Sequence, residues 1–129
     1  MLSSSRVEAN IPAGDLARAR DFYADKLGLT PVRDMAGVNL VYETSGGTRF
    51  NIYETAYAGQ AGHTIAQFHV DDLDAEVRDL QAKDVTFEVY QDMPEVQWDG
   101  VIASLGELGR AAWFRDSEGN ILCIDQPAG

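Results

Sequence analysis

The chain has 129 residues, a length suited to one compact domain, and its 45% hydrophobic and 24% charged residues can fill and solvate a single core. A formal net charge of −11 repels phosphate backbones and anionic membrane surfaces, which argues against nucleic acid and membranes as partners. Cys123 has no second cysteine to pair with, the start "MLSSSRVEANIPAG" lacks the apolar run of a secretory signal, and nothing approaches the roughly 20 apolar residues of a membrane span, so a soluble, cytoplasmic protein is expected.

In "RVEANIPA", Val7, Ala9 and Ile11 alternate with Glu8 and Asn10, the pattern of a half-buried strand. "GDLARARDFYADKLG" follows as a helix. Asp15 is placed to cap it, Leu16, Ala19, Tyr23 and Leu27 form the apolar stripe, Phe22 widens that stripe, and Gly28 stops it. Turn signals at Met35-Ala36-Gly37 and Ser45-Gly46-Gly47 then divide "LTPVRDMAGVNLVYETSGGTRFNIYET" into three short strands. After the connector "AYAGQAG" the pattern returns: strand "TIAQFHV", helix "DDLDAEVRDLQAKD" with Leu73, Val77 and Leu80 on one face, strand "VTFEVY", then "GRAAWFRD", a turn, and "NILCIDQ". The chain reads β-α-β-β-β twice, about residues 6–57 and 63–127, two modules of one domain. The 91–109 segment, "QDMPEVQWDGVIASLGELG", fits this pattern least and reads as a mobile loop. The acidic runs "DDLDAE" and "DSEGN" read as solvated helix starts and a solvated turn.

"IPAGDLARARDFYADKLGL", "FHVDDLDAEV" and "AAWFRDSEGNIL" resemble the vicinal oxygen chelate superfamily of glyoxalase I, extradiol dioxygenases, fosfomycin-resistance thiol transferases and bleomycin-binding proteins. The likeness runs from about Val7 to Gln126. It implies an α+β fold in which two βαβββ modules form a curved mixed sheet around a cavity, the glyoxalase/bleomycin resistance/dihydroxybiphenyl dioxygenase fold. It also implies a homodimer whose cavities include both chains. Enzymes of the family hold a divalent metal, Zn, Ni, Fe or Mn, on His or Glu at four cavity-facing strand positions. Matching the strand–helix junctions puts those positions at Glu8, Asn51, Ile65 and Cys123. An isoleucine binds no metal, an asparagine offers a neutral carbonyl, and a lone cysteine is more often a small buried hydrophobe than a thiolate. No metal or other cofactor is expected on this set.

The two histidines do not rebuild it. His69 shares the parity of Ile65 and Gln67 but lies four residues beyond the family position, about 13 Å along an extended strand. His63 precedes the strand and reads as a loop residue. Parity places Glu8, Asn51, Tyr53, Gln67, His69 and Trp113 on cavity faces, with Ile65 and Cys123 as an apolar floor. Glu8 is expected either to pair with Arg49 or to stay wet; Tyr42, Tyr53, Trp98 and Trp113 serve as core or as ligand-facing aromatics. Three functions remain open. The first is a metal-independent protein binding a small organic molecule, favouring a cation because the protein is acidic. The second is a glyoxalase-like lyase or dioxygenase with an atypical metal site drawing on Glu8 with His69 or Glu54. The third is a cofactor-free lyase or isomerase with Glu8 as base.

Overall fold

The computed structural model describes residues 1–93 and 95–129, so Pro94, within the expected loop, lies outside the described residues. The first module contains β1 (Ala9–Ala13), α1 (Leu16–Leu27), β2 (Arg33–Met35), β3 (Asn39–Glu43) and β4 (Arg49–Glu54). The second contains β5 (Thr64–His69), α2 (Leu73–Ala82), β6 (Phe87–Glu88), β7 (Gln97–Asp99), β8 (Ile102–Ser104), β9 (Arg110–Arg115) and β10 (Ile121–Gln126). The fold is α+β with two curved, unclosed mixed sheets, ordered β1-β4-β3-β2 and β5-β10-β9-β8-β7. In each, the strand before the helix runs parallel to the last strand of its module, which a helical crossover permits. No helix is long and apolar enough to cross a membrane, among the described residues.

The repeat is visible in the helix starts. Asp15 accepts from the Arg18 N–H at 3.1 Å, and Asp72 accepts from the Ala75 N–H at 3.1 Å, each in the extended conformation of a capping residue. One step further, the Leu16 N–H donates to Glu54 Oε1 at 3.1 Å and the Leu73 N–H to Gln126 Oε1 at 3.0 Å. Glu54 and Gln126 close the last strand of their respective modules, so the two junctions are built alike. Gly28 at φ 69° ends α1, with the Leu29 N–H returning to the Tyr23 carbonyl at 2.8 Å.

Both helices bury one stripe against the sheets. Leu16, Ala19 and Tyr23 from α1 and Leu73, Val77 and Leu80 from α2 join Ile11, Leu40, Tyr42, Ile52, Phe114 and Leu122 in one buried cluster. Phe50 of β4 meets Phe68 of β5 edge to face at 6.3 Å, so aromatic packing crosses from one module to the other.

Two expectations change. The 91–109 segment carries structure: β7 and β8 form a hairpin that extends the second sheet through β9, followed by a 3₁₀ turn at Gly106–Leu108. β6, only two residues long, pairs with Phe114 and Trp113 of β9, while β8 takes up Arg110 and Ala111 of the same strand. The "DSEGN" turn is not solvated: Asp116, Glu118 and Asn120 are all buried. Asp116 accepts from the Tyr23 hydroxyl at 2.7 Å and from the Glu118 and Asn120 N–H groups, both at 2.9 Å. Glu118 accepts the Asp15 N–H at 2.8 Å and a two-point contact from Arg18, while Asn120 Nδ2 donates to the Pro12 carbonyl at 2.8 Å. A turn of the second module thereby locks onto the β1–α1 junction of the first.

Candidate functional site: two open concavities

Since the helices occupy one face of each sheet, side chains of opposite parity are left on the other face. There the chain forms two separate concavities. The first, of about 550 Å³, is lined by Glu8, Arg33, Asn39, Arg49 and Asn51 with Val32, Met35 and Val41. The second, of about 430 Å³, is lined by Thr64, Gln67, His69, Trp113, Cys123 and Asp125, with Leu105, Leu108, Ala111 and Pro127 at its edges. Within one chain, therefore, Glu8 and Asn51 are brought together, as are Gln67, His69 and Trp113, but the two groups do not share a concavity.

In the first concavity Asn51 lies directly opposite Val41 of β3, and its Nδ2 donates to Glu8 Oε1 at 3.3 Å. Arg6 approaches the other Glu8 oxygen at 3.7 Å. Arg49 turns to Glu43 at 3.3 Å, so the Glu8–Arg49 pair does not form. Glu8 is half-buried, open to solvent and within reach of Arg6. Tyr53, 41% exposed, lines neither concavity. Tyr42 belongs to the core: it is fully buried and stacks on Phe50 at 5.0 Å.

In the second concavity Trp113 sits at the centre of an aromatic corner, 5.7 Å from Tyr90 and 5.9 Å from Trp98. Cys123 lies opposite Trp113 on β10 and opposite Gln67 on the other side. Burial, reinforced by the negative charge of Asp125, pushes its thiol up to about 12, so it stays protonated. The expected floor loses Ile65. The β5–β10 register shifts so that Ile65 is the extra residue of a bulge; it packs against the core, and Thr64 lines the concavity. His63 stays in the loop, with Nδ1 3.0 Å from the Thr64 carbonyl oxygen. His69 is held: its Nδ1 lies 2.7 Å from Asp125 Oδ1. Asp125 was not among the residues expected here, yet it shares parity with Cys123 two positions earlier, and parallel pairing sets it against His69. Glu54, a possible second carboxylate for a metal, is taken up by the Leu16 N–H.

The model of the Glyoxalase/Bleomycin resistance protein/Dioxygenase superfamily matches residues 6–124. The chain belongs to that superfamily. No curated protein sequence matches it. Among solved structures it is similar to TnmS3, an antibiotic-binding protein from Streptomyces sp. CB03234, at 23% identity and a TM-score of 0.67 over 99% of this chain and 100% of that one. A bleomycin-binding protein solved with bleomycin gives 19% identity and a TM-score of 0.68 over 97% and 100%. FosX, the fosfomycin resistance protein of Listeria monocytogenes solved with Mn(II), gives 14% and 0.69 over 97% and 91%. These solved structures place both binding proteins and a metal-containing protein on a similar fold, so the fold does not choose between those roles.

The donor chemistry at the family's metal positions does not fit an ion. Glu8 is the one anionic donor, and Asn51, whose Nδ2 donates to Glu8, offers only a neutral carbonyl oxygen. Ile65 has no donor, and Cys123 is a lone, buried thiol whose pKa burial raises. Among the described residues no three His, Cys, Asp or Glu side chains come together as a metal-binding group.

Proposed function

We propose that this protein binds a small organic molecule, without the family's metal, in a cavity that two copies of the chain complete together. The observation that carries the reading is the division of the lining. One concavity supplies Glu8 and two amides beside Arg33 and Arg49, the other an aromatic and apolar wall around His69 and Asp125, and each is open on its own. A drug-sized ligand is held best where most of its surface is covered, which a single open sheet does not provide. Placing the first module of one copy over the second module of another would give one enclosed site bearing Glu8 and Asn51 on one side and Gln67, His69 and Trp113 on the other. A two-fold pair would form two such sites from the same contact.

The neighbours solved as antibiotic-binding and bleomycin-binding proteins support ligand capture as the use of such a cavity. The formal net charge of −11 favours an organic cation, and Glu8 is the carboxylate that would meet it. With an inert thiol and no completed metal set, a cytoplasmic sequestering role suits the chain. The test is calorimetric titration with a panel of aromatic organic cations, bleomycin among them, in metal-free buffer. Saturable binding with the ligand recovered unchanged is expected. Consumption of the ligand would make the protein an enzyme, and no binding across the panel would remove the cationic class.

A further inference from the structure

Asp125 differs from the other carboxylates on the sheet faces. It is 6% exposed, lines the second concavity, and among the described residues no conventional hydrogen bond reaches its Oδ1. The group that does approach that oxygen is the His69 ring, directly opposite in the β5–β10 register, with Nδ1 at 2.7 Å. A buried carboxylate without a partner is costly, and a ring nitrogen 2.7 Å from it must turn a proton rather than a lone pair toward it. The tautomer that does so carries its proton on Nδ1 and leaves Nε2 with a lone pair. The His69 side chain is 68% exposed, so the ring stands at the mouth of the concavity rather than within the wall. Trp113, Leu105 and Leu108 give that mouth an aromatic and aliphatic lining. Other charges near the ring are accounted for. β10 contributes the neutral Cys123 thiol, β9 contributes Arg110, held by Asp74 at 2.8 Å, and Asp71 and Asp72 follow β5 at the start of α2.

We propose that His69 and Asp125 form a proton-accepting pair in the second concavity, with Nε2 taking the proton of an aromatic hydroxyl group on a ligand seated against Trp113. In that step the ligand O–H bond breaks and an N–H bond forms at Nε2. The imidazolium is balanced by Asp125, and the phenolate remains bound beside it. His69 meets the ligand, whereas Asp125 is a positioning residue acting through the ring. The pair deepens the ligand-binding reading and rests on it for the ligand, but its own existence can be tested without one.

Nitrogen-15 correlation spectra of the ligand-free protein resolve its two imidazoles, with His63 as an internal control. At neutral pH His69 is expected in the Nδ1–H form, and Asp125→Ala is expected to abolish that preference while leaving His63 unchanged. An Nε2–H form in the parent protein, or no response to Asp125→Ala, overturns the pair while leaving cation binding by the cavity untouched. The ligand half is read with p-nitrophenol, at a pH where the free probe is mostly protonated. Bound probe is expected to show the phenolate absorption band, with affinity falling at least tenfold and the band vanishing in His69→Gln. Probe bound as neutral phenol, or not bound at all, overturns the assignment of a phenolic ligand.

Discussion

At the scale of single residues, the strongest local effects come from carboxylates and hydroxyls in buried places. Burial opposes ionisation of Glu118, whose side chain is 1% exposed, yet hydrogen bonds from Arg18, Ser117 and the Asp15 N–H outweigh it and hold the carboxyl down to about 2. The folded carboxyl therefore titrates below its ordinary value of 4.5, so its stabilisation is whole above that pH and is lost as pH falls toward about 2. Glu118→Gln is expected to cost about 2 kcal/mol at pH 7 by urea denaturation and to flatten the acid limb of stability between those values. An acid limb unchanged by the substitution would show that another group governs it. Tyr42 gives the opposite sign: among the described residues its buried hydroxyl has no hydrogen-bond partner, and burial raises its pKa to about 12. Tyr42→Phe is expected to stabilise by about 1 kcal/mol, since a desolvated, unpaired group is removed while the ring stack on Phe50 stays. A loss of stability would mean that the hydroxyl is satisfied after all. In the first concavity, Glu8→Gln is expected to weaken binding of an organic cation by about 1–3 kcal/mol in calorimetry with an unchanged melting temperature. The shared facing of Glu8 and Asn51 was legible from the family resemblance and strand parity, although the same parity misplaced Tyr53. Asp116 and Glu118 were not, because an acidic turn and a buried acidic latch have the same composition, and only the position of Arg18 and Tyr23 across the fold separates them.

At the scale of elements, both helices could be read closely from the sequence because each carries its own signals: a capping aspartate, a 3.6-residue apolar stripe and, for α1, a stop glycine. Strand registers are set by partners elsewhere in the chain, and alternation within one strand carries no record of them. That is why the bulge at Ile65 and the β7–β8 hairpin were missed, and why "VTFEVY" shortens to two paired residues once β8 shares β9 with it. The turn leading into β9 is fixed by a close approach. Gly109 has φ 98°, and a Cβ there would collide with the Gln126 carbonyl and the chain at Pro127 and Ala128. Gly106, at φ 62°, has open space around the same position. Gly109→Ala is expected to cost roughly 3 kcal/mol or more, against about 1 kcal/mol for Gly106→Ala, by thermal or urea unfolding. Equal costs would place the strain in the backbone angle alone and leave the contact with β10's end without weight.

At the scale of the whole molecule, the division into two open concavities is what a single sequence conceals. Parity says which residues face away from the helices, but not whether two such faces meet within one chain or across two. The expectation that Glu8 and Trp113 share one concavity is unmet within the chain and would be met only between two copies. Multi-angle light scattering at micromolar concentration is expected to give twice the 14.1 kDa chain mass, and a value near the chain mass would remove the composite cavity. Binding should then depend on protein concentration through the same association. The most direct measurement is native mass spectrometry of protein purified without chelators and incubated with a cation that binds in calorimetry. The account predicts a dimer that takes up as many as two ligand molecules of unaltered mass and carries no metal adduct. A stoichiometric Zn, Ni, Fe or Mn per site, or a ligand-loaded monomer, would contradict it.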